Sequence, residues 1–254
     1  MSVMALRLVE RSFLVYRRTW VVLVSGFFEP VFYLLSIGLG IGGLVGEVTG
    51  PDGRLLEYSA FVAPALMAAA AMNGAIYEST LNIFYKLKHA KLYEAVLTTP
   101  MGVLDIALGE IGFALLRGAL YALAFLIVML AMGLVLSPWA VLAVPAALLV
   151  GFAFAACGMA AITWCRSWHD AELVSLVVLP LFLFSTTFYP ITTYSPGLAA
   201  VVRVTPLYQG VALIRALTLG DVSWASLGHA AYLGAMGLVG LAVSRRRLAR
   251  ILLT

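Results

Sequence analysis

The sequence predicts an all-α, polytopic membrane protein of about six transmembrane helices, and three observations carry that expectation. The chain of 254 residues is 63% hydrophobic and only 11% charged, where a soluble domain carries about a quarter charged residues. Apolar runs of about 20 residues, long enough to cross a bilayer as helices, recur along its whole length. The basic residues gather at alternate ends of those runs, as the preference for positive charge on the cytoplasmic side requires. The runs do not alternate in polarity, which speaks against a membrane β-barrel. Topology accounts for the net charge of +4 and the pI of about 9.2, and no nucleic-acid partner is expected.

Residues 1–19 precede the first span as an amphipathic interface helix. At about 100° per residue, Ala5, Leu6, Val9, Phe13 and Tyr16 share one face, and Arg7, Glu10, Arg11 and Arg18 share the other. Leu14 falls among the charges. The first span covers about 21–46, too long for a signal peptide and without a small-residue cleavage site. Glu29-Pro30 interrupts it; a carboxylate there faces protein or water, and the proline bends the helix. Gly38-Leu39-Gly40-Ile41-Gly42-Gly43 matches a dinucleotide fingerprint in form, but no strand precedes it, so close helix packing is the better reading.

Residues 47–58 read as a short acidic outer loop. The second span, about 59–81, carries Asn73 and Glu78. All three lysines then follow in an elbow over 82–103, at Lys86, Lys88 and Lys91. Glu94 stands three residues beyond Lys91 and within reach of it on a helix, and a Thr98-Thr99-Pro100 break closes the segment. The third span, about 104–134, holds Glu110 and Arg117, seven apart and so on one face but too distant to pair with each other. Each needs a partner on another helix or a path to the interface. Ser137-Pro138-Trp139 makes an outer turn, with Trp139 suited to the membrane interface.

A fourth span over about 140–163 returns the chain to Arg166–Glu172. His169 beside Asp170 and Glu172 lacks other ligands at metal spacing, and a solvated loop is expected. Cys157 and Cys165 have no metal-ligand companion, and no disulfide is expected of them. The fifth span, about 173–188, is short. The segment 189–222 is too apolar for an ordinary loop and is broken by Pro190, Pro196 and Pro206. Two short re-entrant helices, roughly 196–204 and 206–219, fit it. The last span, about 224–243, carries a Gly234, Gly237, Gly240 packing stripe, and Arg245, Arg246, Arg247 and Arg250 close the chain. Twelve of the sixteen basic residues fall on the inner side, Arg54, Arg203 and Arg215 fall on the outer, and Arg117 lies within the membrane. Both termini are expected in the cytoplasm.

The sequence holds no phosphate-binding loop of the G-x-x-x-x-G-K-[ST] type, no H-E-x-x-H, no G-x-S-x-G and no Cys/His cluster. No catalytic residue, metal or directly bound cofactor is expected. A transport permease is favoured over an ATP-independent scaffold or a membrane-embedded enzyme. The intramembrane polar residues Glu29, Asn73, Glu78, Glu110 and Arg117 are the translocation candidates.

The chain also resembles the permease subunits of type-2 ABC exporters, nearest to their nodulation J and daunorubicin-resistance branch. The residues that carry the likeness are Arg17-Arg18-Thr19-Trp20, Glu29-Pro30 with the glycines to Gly43, and Tyr93 through Pro100 with Leu108-Gly109-Glu110. Phe188-Tyr189-Pro190, Thr205-Pro206-Leu207-Tyr208 and Leu213-Ile214-Arg215 follow. The resemblance implies one permease domain over 1–254, half of a membrane dimer with an identical or sibling permease. Two separate ABC ATPase subunits, which hold the ATP and Mg, would bind beneath it. It assigns ATPase coupling to Lys91, Tyr93, Glu94, Leu97, Thr98 and Pro100, with Arg7, Arg11 and Leu14 on the N-terminal helix. It places Tyr189, Pro190, Thr205, Pro206 and Arg215 in the re-entrant segment. A hydrophobic or amphipathic substrate such as a glycolipid, lipo-oligosaccharide, lipid-linked glycan or drug is implied, along with residence in a bacterial plasma membrane.

Overall fold

The computed structural model describes residues 3–17, 28, 31–50 and 53–253. Helix α1 covers Val3–Arg17, and α2 covers Val31–Val45. A small hairpin follows, with β1 at Glu47–Thr49 and β2 at Leu55–Glu57 pairing antiparallel. Helix α3 runs from Tyr58 to His89. The elbow helix α4 is Leu92–Leu97, and α5 is Val103–Ala131. A 3-10 turn at Pro138–Leu142 leads into α6, Ala143–Ile162. Then come α7 at Trp168–Leu176, α8 at Val178–Leu183, α9 at Pro196–Val204, α10 at Pro206–Leu219 and α11 at Trp224–Leu252.

Four helices are long and apolar enough to cross a membrane among the described residues, or five if the bent pair α9–α10 counts as one. Six spans are expected from the sequence, and the count among the described residues is smaller. Part of the first expected span, Glu29-Pro30 included, lies outside the described residues. The expected fifth span, 173–188, is instead two short helices, α7 and α8, with a Ser185-Thr186-Thr187 turn beyond them. Pro180 lies inside the second of these, and it can donate no amide to the helix before it. The second helix does not stop near residue 81 but continues to His89.

The Ala-rich helix α6 sits at the centre, packed on α3, α5, α10 and α11. Small side chains let the backbones approach: Ala146, Ala147, Val150, Ala153, Ala155 and Ala156 are all buried. On α11 the glycine stripe faces this helix in part. A Cβ on Gly240 would stand 2.8 Å from the Ala156 backbone, and one on Gly237 would strike the Phe152 ring, whereas Gly234 faces open space. Of the Gly38–Gly43 series, Gly38 lies beside Ser59, while Gly40 and Gly43 meet nothing among the described residues.

The outer stripe of α5, Leu116, Leu120, Leu123, Ile127 and Leu130, is exposed. Its spacing follows one helix face, as a lipid-facing surface does. Helix α1 docks on α5 through Ala5, Leu8 and Ser12. Of the expected apolar face, Ala5 is buried while Leu6 and Phe13 are exposed. The apolar arc is wide enough to give one edge to protein and the other to the membrane. Two helices form with the expected bounds, Pro196–Val204 and Pro206–Leu219, bent by 84° at a break that fits either a broken span or a re-entrant loop.

Candidate functional site

The polar residues of the second and third spans meet in two ion pairs. Helices α3 and α5 pack antiparallel, and each contributes one acid and one base, in opposite order. Arg117 Nη1 donates to Glu78 Oε2 at 3.0 Å, and Lys86 Nζ donates to Glu110 Oε2 at 2.7 Å. Both carboxylates are 2% exposed, and the cations are 12% and 14% exposed. Buried charges survive only with such partners, since taking either ion out of water unpaired costs several kcal/mol by rough estimate. Asn82, one turn beyond Glu78, also donates to its carboxylate. Arg117 lies 5.4 Å from the Tyr121 ring centroid, and its Nε donates to that phenol at 2.8 Å. The expected partners for Glu110 and Arg117 are thus on another helix, and both are on the same one.

Two stretches of α3 are π-helical, Glu78–Asn82 and Tyr85–His89. Each begins at or next to one of the paired residues. Such turns are uncommon and concentrate at functional positions.

From Glu110 the network reaches the elbow. The elbow helix α4 begins at Lys91, whose φ of 47° puts a non-glycine residue in the left-handed region. That turn carries the chain from α3 into α4 and points Tyr93 inward. Tyr93 is 1% exposed, and its hydroxyl donates to Glu110 Oε1 at 3.1 Å. Burial first, then the Glu110 carboxylate, hold the Tyr93 phenol well above its usual pKa, while Arg11 of α1 acts in the opposite direction. Helix α1 is seated next to the same carboxylate: a Cβ on Gly109 would stand 2.7 Å from Leu8 Cδ2 and 3.2 Å from the Ala5 carbonyl. Glu110 is therefore where α1, α3, α4 and α5 converge.

The other coupling candidates lie on the outside of this joint. Glu94, Lys91, Thr98 and Pro100 are exposed, as are Arg7, Arg11 and Leu14 of α1. Among the described residues Glu94 forms no ion pair with Lys91, whereas Arg7 pairs with Glu10 at 2.9 Å. Thr98 and Thr99 turn their hydroxyls back onto the carbonyls of Ala95 and Val96, at 2.8 and 2.6 Å, and so close the helix. Leu97 is half-buried against the core. Asp105 accepts from the Gly102 amide at 3.0 Å and starts α5. The Lys86 pairing and the inward turn of Tyr93 were not apparent from sequence. The one signal for the former is the spacing of Glu78, Asn82 and Lys86, four residues apart each time on one rod.

At the opposite end of α3 the bent pair α9–α10 builds a second polar centre. Thr205 sits at the 84° corner, ending α9 and starting α10. Its hydroxyl donates to Val202 at 2.7 Å, and Pro206 takes the first helical position, where no amide is needed. Tyr189 is partly exposed and Pro190 opens a short 3-10 turn. Arg215, expected on the outer side, is 5% exposed. Its Nε and Nη2 donate to the Phe61 carbonyl at 3.3 and 3.2 Å, and Nη2 also donates to Thr186 O at 2.8 Å. Its guanidinium lies 3.9 Å from the Phe61 ring centroid. Pro64, one turn after Ala60, has no amide to give that residue's carbonyl.

Asn73, Arg117 and Tyr121 line a larger cavity of about 490 Å³ between α3, α5 and α8. At the loop after α6, Asp170 accepts from the amides of Arg166 and Ser167 at 2.9 and 3.0 Å, while His169 lies 3.9 Å from Glu172 and both are exposed. Among the described residues no cluster could hold a metal ion. Cys157 and Cys165 are free thiols.

A family model described as ABC-2 type transporter matches residues 5–219. The nodulation protein J of Neorhizobium galegae is 29% identical over 247 residues, covering 94% of this chain and 92% of that one. That of Rhizobium leguminosarum bv. trifolii is 31% identical over 195 residues, with 76% and 72% covered. That of Rhizobium leguminosarum bv. viciae is 28% identical over 249 residues, with 95% and 93% covered.

Proposed function

Because the chain belongs to the ABC-2 type transporter family, we propose that it is the membrane-spanning permease half of an ATP-driven exporter. It is an integral membrane component of a transporter rather than an enzyme. A second permease half, identical or sibling, completes the pathway, and two ATPase subunits carrying ATP and Mg sit under α1 and the elbow. The protein resides in a bacterial plasma membrane with both termini in the cytoplasm. Its cargo is a hydrophobic or amphipathic molecule such as a lipo-oligosaccharide, glycolipid, lipid-linked glycan or drug.

One observation carries the coupling part of this reading. The elbow helix is not a loose loop, because Tyr93 ties it to Glu110, and Glu110 is tied in turn to Lys86 on α3. A displacement imposed on the exposed side of α4 is passed through those bonds to the two helices it joins, rather than being absorbed by the segment. The outward-facing Glu94, Lys91 and Thr98, with Arg7, Arg11 and Leu14, form the surface on which an ATPase would act.

The test is Glu94→Arg, which lies outside the bilayer and leaves the Glu110 network alone. The variant is expected to insert at wild-type abundance, yet to lose export several-fold as the ATPase binds poorly or hydrolyses without transport. Glu57→Arg, in the hairpin, is the control and should export normally. Equal export by Glu94→Arg and wild type at equal abundance would remove the elbow as the coupling surface. Orientation is checked separately by labelling Asp52→Cys and Lys88→Cys in intact cells, with only the first reached from outside.

A further inference from the structure

We infer that a cavity of about 270 Å³ at the end of the fold remote from the elbow is a binding site for a phosphate-bearing anion. It is enclosed by the hairpin, the start of α3, the turn after α8, the end of α10 and the start of α11. The inference does not rest on ATP-driven export and stands or falls apart from it.

Arg215 lines the cavity and supplies its charge. Among the described residues it has no carboxylate within salt-bridge distance, unlike Arg117 and Lys86. Its bonds go to neutral carbonyls, and its Nη1 reaches only Thr186 Oγ1, at the long distance of 3.4 Å. A guanidinium has five N–H donors, so the Nη1 side keeps capacity for a further acceptor. A positive charge buried without a negative partner is costly, and an entering anion offsets that cost. Planar guanidinium donors also match phosphate oxygens in geometry.

The wall beside it is strained. Thr186 has a φ of 60°, a rare conformation for a β-branched residue, and is 2% exposed. Backbone held in this way clusters at ligand sites, where the surrounding bonds enforce it. Here the Arg215 bond to Thr186 O does so. Tyr208 and His229 also line it, and the single acid in it, Asp221, is exposed, so water weakens its repulsion of an anion without removing it. The cavity is smaller than the roughly 300–1,000 Å³ of drug-sized pockets, which fits one headgroup rather than a whole amphiphile.

Free phosphate and an anionic phospholipid offer the same chemistry, and two measurements on the full-length protein separate them. Equilibrium dialysis in a maltoside detergent reads inorganic phosphate. Native mass spectrometry from nanodiscs reads retention of phosphatidylglycerol against a galactosyl diacylglycerol with the same chains. Phosphate binding assigns a free anion, preferential phosphatidylglycerol retention assigns a lipid headgroup, and neither overturns the proposal. Ala216→Leu fills the cavity from α10 without touching the Arg215 bonds, and is expected to weaken binding by about tenfold. Undiminished binding in that variant overturns the site. Asp221→Asn, at an exposed position, keeps the test open should Ala216→Leu fail to insert. It removes the opposing rim charge and should tighten binding by about threefold, and no gain there overturns the site as well.

Discussion

At the elbow end of the molecule two buried carboxylates meet two largely buried cations. At the far end of the same helix a buried guanidinium meets only carbonyls, a hydroxyl and an aromatic face. The two ends solve the burial of positive charge differently. An ion pair makes each member depend on the other, so losing one strands its partner in a poorly solvated place. A cation held by backbone oxygens and a ring leaves only neutral groups behind when it is removed. The elbow end is thus the more sensitive to single changes, and the far end the more open to an added anion.

Glu110→Ala should have the largest effect, about 3–5 kcal/mol of destabilisation, since it strands Lys86 and leaves the Tyr93 hydroxyl without its acceptor. Arg215→Met should lose less, about 1–3 kcal/mol, because only carbonyls go unpaired. Thermal unfolding in one detergent measures both, and an inverted order would break the contrast between the ends. Tyr93→Phe removes a hydrogen bond to a charged acceptor and should fall at about 1.5–3 kcal/mol.

Tyr93 also has a pH signature. Its folded phenol holds its proton longer than the unfolded one. The resulting stability is fully present below the ordinary phenol value of about 10 and is lost as pH rises above it. Tyr93→Phe should therefore show a shallower alkaline loss of stability than wild type. The glycines of α11 set a graded pair, the second of which is the smallest effect expected. Gly240→Ala, against the Ala156 backbone, should lose about 1–3 kcal/mol. Gly234→Ala, facing open space, should stay within about 0.5 kcal/mol of wild type.

Sequence reading reached the bounds of α9 and α10 to the residue, because Pro196 and Pro206 punctuate them and a proline fixes where a helix begins. It identified Glu110 and Arg117 as charges in need of partners, because a charge in an apolar run has no cheap alternative. The pairing itself was not legible, since it depends on which helices pack and in what register. Leu8 was passed over because periodicity defines an apolar arc but not which edge of it meets protein. The fifth span misled because its apolar composition suits a membrane helix, whereas Pro180 and the Ser185-Thr186-Thr187 turn break the rod. Arg215 lies in a run of apolar residues, and nothing in a linear pattern separates a buried guanidinium from one at the surface.

The π turns of α3 matter for angular phase. On α5 the two charges, Glu110 and Arg117, are seven residues apart, and an ordinary α-helix brings them within about 20° of the same bearing. On α3 the matching charges, Glu78 and Lys86, are eight apart, and ordinary winding would overshoot two full turns by about 80°. Turns closed by i→i+5 bonds unwind the helix and take up that overshoot; the one at Glu78–Asn82 lies between the two charges, and a second at Tyr85–His89 continues past Lys86 toward the elbow. One helix counts in sevens and the other in eights, yet their charges stay in step. Deleting one residue between the pairs, Leu81 for instance, would let a π turn relax to an α turn and put the two counts in agreement. An insertion there would throw Lys86 and everything beyond it, the elbow included, out of alignment with Glu110.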